Sequence, residues 1–426
     1  MSVMVITGGT AGAGKATALR FARAGYHVAL IARDETGLQE TQQACERFGV
    51  KTLAISADVA DAGAVQRAAA EVEATLGAID VWINNAMTTV LAPFRQMSDD
   101  EFRRVTEVTY LGYVNGTRAA LEVMTPRDRG VIIQAGSALA WRSIPLQSAY
   151  CGAKAAIRGF TDAVRTELMH EKSHIQLTMV QLPGMNTAQF GWARNKMDQA
   201  MQPVPPVYQP EVAAEAIYSV IQRPVNELWV GKSTIQSILG QVFFPRLLDR
   251  LMVKKAWEGQ FTGQPKPAEH QDDLFTPVRG NHPGHGPFND GARRKAVTIS
   301  ADLPGKVAAG VGVAVATMAL RALFRRPTPM MIAAIENTAA GSVASELEEG
   351  KTTVGTLVNV SHVAATPEGM EVRIETELTE IAPNGKMLTF KVAAYDEAGL
   401  IGEGTHQRAI VAKERFEQKA QSKLSK

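Results

Sequence analysis

Tyr150 and Lys154 stand four apart in the stretch AYCGAKAA, residues 149–156. On a helix that spacing puts a phenol and an ammonium on one face, one turn apart. A neighbouring ammonium favours the phenolate and draws a tyrosine pKa down from about 10. Such a tyrosine suits proton transfer to or from a substrate oxygen, although two half-exposed residues on an ordinary helix show the same spacing. A second group is glycine-rich. VITGGTAGAG places Gly8, Gly12 and Gly14 between an apolar run and a helix-like run. Glycines there permit a tight turn and a close approach of backbone to a pyrophosphate at a helix N-terminus. The next apolar run ends in VALIARDE, with Arg33 ahead of Asp34. An acid at that place binds the ribose 2′-hydroxyl of NAD(H), whereas a guanidinium suits the 2′-phosphate of NADP(H). Arg33 comes first, so NADP(H) is the expected cofactor and NAD(H) the alternative.

A third group lies near the C-terminus. Ile332, Ile335, Glu336, Ala339 and Val343 fall on one helical stripe, which sets a carboxylate in an apolar face. Burying it costs free energy unless it is paired or protonated; a glutamate at the helix edge that reaches solvent is the other reading. Thr328, before that helix, and His362, in VNVSHVAAT, are further polar residues in apolar settings. His270, His282 and His285 gather near Asp272 and Asp273, but their spacing fits no standard ligand pattern, so a solvated loop and no metal are expected there.

The elements that must hold these groups follow from the hydrophobic pattern. Up to about residue 250, strand-length runs (VMVITG, YHVALIAR, VKTLAISAD, AIDVWINNA, GVIIQAGS, IQLTMVQLPG) alternate with amphipathic segments such as AVQRAAAEVEATLG. That is the pattern of an α/β fold of Rossmann type, a doubly wound parallel sheet with helices on both faces. Residues 262–291 hold ten Gly or Pro in thirty, which predicts a linker or a loop draped over the surface. From about 327 a helix and then alternating strands predict a smaller α+β domain. The expected boundaries are 1–261 for the first domain, 262–296 for the linker, 297–326 for a small-residue apolar segment without an assigned role, and 327–417 for the second domain.

With 426 residues, 45% hydrophobic and 21% charged, the chain has a globular composition, and a net charge of +2 argues against a nucleic-acid partner. Two cysteines, Cys45 and Cys151, imply no disulfide framework and fit a reducing cytoplasm. The N-terminal apolar run has no basic flank and breaks into glycines, so it reads as a strand and not a signal peptide. Val307–Leu320 is apolar or small throughout, but its 14 residues fall short of the roughly 20 of a bilayer span. Packing is expected for 303–326, with membrane contact as the rival reading.

The spacing TG-xxx-G-x-G, INNA at 83–86, Ser137 in AGSALA and the Tyr150–Lys154 pair together resemble the short-chain dehydrogenase/reductase family over about residues 1–250. The resemblance implies Tyr150 as general acid/base, Lys154 as the group that holds the nicotinamide ribose and lowers the tyrosine pKa, and Ser137 as the group that orients a substrate carbonyl. It puts Asp58 and Val59 beside the adenine and Asn85 and Ala86 beside the ribose. Pro183, Gly184 and Thr187 would flank the nicotinamide. One departure stands out: where the family often has an asparagine that supports a water-mediated proton relay, this chain has Thr109, with Asn115 six residues later.

Thr328, Glu336 and His362, with Gly355 in VGT and Arg408 in THQRAI, resemble the hotdog thioesterases of the fluoroacetyl-CoA thioesterase type over about 327–417. That resemblance implies that Glu336 and Thr328 activate the attacking group at a thioester with help from His362. It implies that Gly355 and Arg408 contact an acyl-CoA, and that two copies pair into a homodimer. The combined expectation is an NADP(H)-dependent oxidoreductase interconverting a small-molecule carbonyl and alcohol, fused to an acyl-CoA thioesterase-like domain. The alternative keeps the reductase and makes the second domain a non-catalytic acyl-CoA-binding or dimerisation module.

Overall fold

The computed structural model describes residues 1–302 and 327–421, apart from 268, 270, 281, 365 and 367–369. Val307–Leu320, His270 and the side chain of Thr328 therefore lie outside the described residues. The rest falls into two compact units that divide between 302 and 327.

Eight strands form the sheet of the first unit: β1 (Val3–Thr7), β2 (His27–Ala32), β3 (Thr52–Ser56), β4 (Ile79–Asn84), β5 (Val131–Ser137), β6 (Gln176–Leu182), β7 (Glu227–Val230) and β8 (Thr298–Ser300). Their order is β8-β7-β6-β5-β4-β1-β2-β3. All pairings are parallel except β7 with β8. Along β1, Met4 and Ile6 enter one buried cluster, and Val3 and Val5 enter another on the opposite face. Helices cover both faces, which is why these strands read as unbroken apolar runs.

The stretch expected as a linker is instead fastened to this unit. Phe261–Pro265 pairs antiparallel with Gln199–Met201, Asn186 Nδ2 donates to Asn289 Oδ1 at 2.9 Å, and β8 joins the main sheet. The boundary at 261 is corrected accordingly: the first unit runs through residue 302, and residues 298–300 of the segment left without a role are sheet. The draped-loop reading describes 262–296 and the linker reading does not.

In the second unit a helix, Pro327–Gly341, lies against the antiparallel strands β9 (Lys351–His362), β10 (Arg373–Ile381), β11 (Met387–Asp396) and β12 (Gly399–Ala412), in the order β9-β12-β11-β10. Met331, Ile335 and Ala339 of the helix and Val343 just beyond it, four apart, bury against Leu388, Phe390, Val392 and Ala394 of β11. The buried stripe thus passes beside Glu336, which sits half-buried at its edge with Ile332. β10, whose sequence alternates apolar and charged residues, is the sheet edge, and its Leu378 is 40% exposed.

The first core is pinned by polar groups between β4, β5 and the helix Gly112–Met124. The amide of Asn84 accepts from Trp82 Nε1 at 2.8 Å and donates to Thr117 Oγ1 at 3.1 Å and Gln134 Oε1 at 2.9 Å, all buried. Asn84→Ala strands these partners at once and should cost about 3 kcal/mol. All five tryptophans lie in the first unit, so a fall in the urea midpoint followed by tryptophan fluorescence checks this.

Candidate functional site

A cleft of about 640 Å³ opens at the C-terminal ends of β1 to β6, where ligands settle on open α/β sheets. Its floor is the turn after β1. Gly8 has a φ of +68° and Gly12 of +48°, and side chains there would meet Ala86 Cα at 2.8 Å and Thr187 Cγ2 at 2.7 Å. A Cβ on Gly14 would collide with the Gly8 carbonyl. The helix that follows, Gly12–Arg23, has no side-chain cap and no acid in its first turn, so its end presents bare N–H groups and positive dipole. Asn85 closes the turn from β4, its Nδ2 donating to the carbonyls of Thr7 at 3.2 Å and Gly8 at 3.0 Å. At the far end the Thr187 hydroxyl is buried with no hydrogen-bond partner among the described residues. Glycines that leave room for a pyrophosphate, an uncapped helix end and an unspent hydroxyl fit the dinucleotide that the sequence implies.

The structure brings Ser137, Tyr150 and Lys154 together on one wall. Ser137 ends β5, and its backbone N–H donates to the buried Gln181 Oε1 at 2.8 Å. Tyr150 and Lys154 lie in the first turns of the helix Ser148–His170. The Tyr150 hydroxyl bonds to Ser137. Lys154, 3% exposed, points its ammonium to Tyr113 Oη at 2.9 Å and the Ala135 carbonyl at 2.8 Å. This corrects the expected electrostatics. Burial pushes Tyr150 up, against the pull of its Ser137 bond, and burial pulls Lys154 down to about 7. Before ligand binding, desolvation outweighs the attraction between the pair.

Arg33, Asp58, Val59, Ala86, Pro183 and Gly184 all line the cleft. Asp58 is drawn down: its burial is outweighed by the Ala60 N–H and by Arg104. A relay water at the place of the family's asparagine would find no free donor at Thr109. That hydroxyl accepts from the Thr88 N–H at 3.1 Å and donates its one proton to the Thr88 carbonyl at 2.8 Å. It sits in a π-helical turn, Glu107–Leu111, that shifts the register of the helix there. Asn115 holds the loop after β3 instead, donating to the Val59 carbonyl at 2.9 Å.

Residues 2–198 match the family model described as short chain dehydrogenase. The uncharacterized oxidoreductase YxnA of Bacillus subtilis is 31% identical over 284 residues, 66% of this chain and 79% of that protein. The chain belongs to the short-chain dehydrogenase family. A fatty acyl-CoA reductase of Acinetobacter baylyi is 30% identical over 225 residues, 52% of this chain and 74% of that protein. A solved short-chain dehydrogenase from Streptomyces avermitilis superposes with a TM-score of 0.50 at 25% identity, covering 61% of this chain and 98% of that one. Residues 325–414 match the model described as fluoroacetyl-CoA-specific thioesterase.

Two residues of this short-chain dehydrogenase site escaped the sequence reading. Tyr113 bridges Lys154 to β5 by donating to the Ala135 carbonyl at 2.9 Å. Gln181 holds Ser137 and donates to Glu227 Oε1 at 2.8 Å. A glutamine inside the apolar run LTMVQLPG was the available signal for the second; nothing local marks the first.

In the thioesterase-like unit, Glu336 rests over Gly355, where a Cβ would collide with its carboxylate. Arg408 is not placed to meet a ligand. It is 5% exposed and donates to Thr353 Oγ1, the Thr353 carbonyl, the Glu336 carbonyl and His406 Nε2 at 2.8–3.1 Å. His406, fully buried and unforeseen, turns its Nδ1 to the Leu357 carbonyl at 2.9 Å. His362 ends β9 opposite Gly402, whereas Gly355 pairs with Arg408. At about 3.3 Å per residue, on the order of 20 Å of strand separates them. Met331, five residues before Glu336 on the helix, lies against Gly402, the cross-strand partner of His362. Among the described residues no cluster of His, Cys, Asp or Glu is set for a metal, and no helix is long and apolar enough to cross a membrane.

The Lys154 shift has a sign that can be measured. The unfolded chain holds the lysine proton up to about pH 10.4 and the native state only to about 7. In that window the unfolded state binds more protons, so this group makes stability rise with pH. Lys154→Met removes the contribution. Its stability relative to wild type should be highest near pH 6 and decline toward pH 10, read from urea unfolding across that range; a pH-independent difference would contradict the buried-amine assignment.

Proposed function

We propose that the first domain interconverts a carbonyl and an alcohol with NADP(H), and that the second acts on acyl-CoA thioesters. The observation that carries the first part is the convergence of Ser137, Tyr150 and Lys154 on the wall of a cleft whose floor is the Gly8–Gly14 turn. A nicotinamide dinucleotide bound there supplies or accepts the hydride. Ser137 holds the substrate oxygen by its hydroxyl. Tyr150 gives that oxygen its phenolic proton in reduction and takes it back in oxidation. Lys154, in its protonated form behind the tyrosine, stabilises the phenolate that forms. NADP(H) is favoured over NAD(H) because Arg33 lines the cleft while Asp34 is spent: it is 6% exposed and caps its helix through the Gly37 N–H at 2.9 Å. The relative named for fatty acyl-CoA reduction and the thioesterase family of the second domain both concern acyl thioesters. That supports an acyl-chain compound as substrate class.

For the second domain we propose hydrolysis, with Glu336 drawing a proton from water as the water attacks the thioester carbonyl. The C–S bond breaks and CoA leaves as its thiol. Thr328 and His362 assist. Gly355 supplies the space beside Glu336, and Arg408 braces the site from below without touching the ligand. We also propose that two copies pair through this domain; the rival reading is a domain that binds acyl-CoA or pairs without cleaving. The proposed setting is the cytoplasm.

Tyr150→Phe keeps the ring and removes the transferable proton. NADPH oxidation with a panel of aldehydes and ketones should fall by orders of magnitude, roughly 10³-fold, with unfolding unchanged; retained activity would take the tyrosine out of the chemistry.

Glu336→Gln should abolish thiol release from acetyl-CoA and longer acyl-CoAs and leave carbonyl reduction intact, because the two sites belong to separate folding units. If wild-type protein releases thiol no faster than this variant, the binding-module reading takes over.

A further inference from the structure

The stretch 272–280, with His282, crosses the adenosine end of the cleft as a strap, and it lies beyond the 2–198 that match the family model. Its position is built from side chains on several elements. Asp272 pairs with Arg194 at 3.0 Å. Leu274 is fully buried in a small cluster with Val90, Val105 and Ala149, against which Tyr150 packs. Arg104 Nε donates to the Leu274 carbonyl at 3.0 Å, and Lys15 Nζ donates to the His282 carbonyl at 2.8 Å.

The strap changes what the end of β2 offers a ribose. In doubly wound sheets the acid at that point takes the 2′-hydroxyl. Asp34 occupies the place here, but it is 6% exposed, and its Oδ2 both caps a helix and faces His282 Nε2 at 3.0 Å. Arg33 in turn donates to the carbonyls of Asp273, Leu274 at 3.4 Å and Phe275 at 3.3 Å. The strap thereby delivers a carboxyl group of its own to this corner. Asp273 Oδ1 accepts from Thr88 Oγ1 at 3.2 Å, and its charge interacts with that of Arg33.

We propose that Asp273 is the residue that opposes NADP(H) and supports NAD(H) at this site, doing from the strap what Asp34 is no longer free to do. The inference rests on reading the cleft as a dinucleotide site. A 2′-phosphate reaching Arg33 has to displace main-chain carbonyls and then sit beside a like charge. A 2′-hydroxyl can donate to Asp273 and leaves the carbonyls in place. Arg33 therefore sets the direction of cofactor preference and Asp273 limits its size. Burial raises Asp273 to about 6, so at neutral pH most of its population still carries the opposing charge.

The test compares Kd for NADPH and NADH with the full-length protein, by ligand-induced quenching of tryptophan fluorescence, in wild type, Asp273→Asn and Asp273→Glu. Asparagine keeps the shape and the Thr88 bond and removes the charge, so the NADPH-over-NADH affinity ratio should rise at least fivefold. Glutamate keeps the charge and should hold the ratio within twofold of wild type. An unchanged ratio in Asp273→Asn, or an equal rise in both variants, would overturn the assignment, the second by showing that loosening of the strap and not charge governs the preference. If no form of the protein binds either dinucleotide, the reading of the cleft falls and takes this inference with it.

Discussion

The burial of one amine organises the reductase site. Lys154 reaches from its helix to the Ala135 carbonyl on β5 and to the Tyr113 hydroxyl on the neighbouring helix, which itself bonds to Ala135. Three elements are thus tied at one carbonyl near the C-terminal end of β5, two residues before Ser137. A buried ammonium without such partners would be far costlier. The price of this arrangement shows in its pKa, held near 7 by desolvation. The same geometry leaves Tyr150 on the cleft side, beside Ser137 and in front of the Lys154 amine. In its protonated form that amine favours a negative phenolate.

Around that tie the glycine turn and the strap act as floor and lid. Gly8, Gly12 and Gly14 let β1, β4 and the loop after β6 approach within contact distance of one another. The strap is held chiefly by main-chain carbonyls: those of Asp273, Leu274, Phe275 and His282 accept from Arg33, Arg104 and Lys15. A segment anchored in this way tolerates many side chains, which is consistent with a glycine- and proline-rich composition in a region that is nevertheless ordered against the cleft.

That mode of anchoring explains what the sequence could and could not disclose. The sheet was legible because strands buried on both faces are continuous apolar runs, and the turn after β1 because its backbone demands glycine. Tyr150 and Lys154 were legible as neighbours because one helix carries both, but four-residue spacing says nothing of burial, and burial reversed the direction of the tyrosine shift. Carbonyl anchors carry no residue signature, so the strap read as a linker. Tyr113 meets Lys154 across 41 positions of chain, a contact that no local pattern encodes. In the second unit Ile335, Ala339 and Val343 of the expected stripe are buried, whereas Met331 takes the place of Ile332 on that line and Glu336 lies beside it.

That offset matters for the chemistry of the second unit. A carboxylate in the middle of the buried line would have to be neutral or paired. At the edge, over Gly355, Glu336 is half-buried and keeps solvent on one side. Arg408 sits below with its guanidinium spent on Thr353, His406 and the backbone of the glutamate's own helix. Its role is then to fix the helix against β9 and β12 at the point where Glu336 emerges, and to lend a positive field from beneath. The bracing of this corner is complete within one chain, so on the proposed reading the groups that join Glu336, namely Thr328, His362 or a second copy, have to reach a corner that is already rigid.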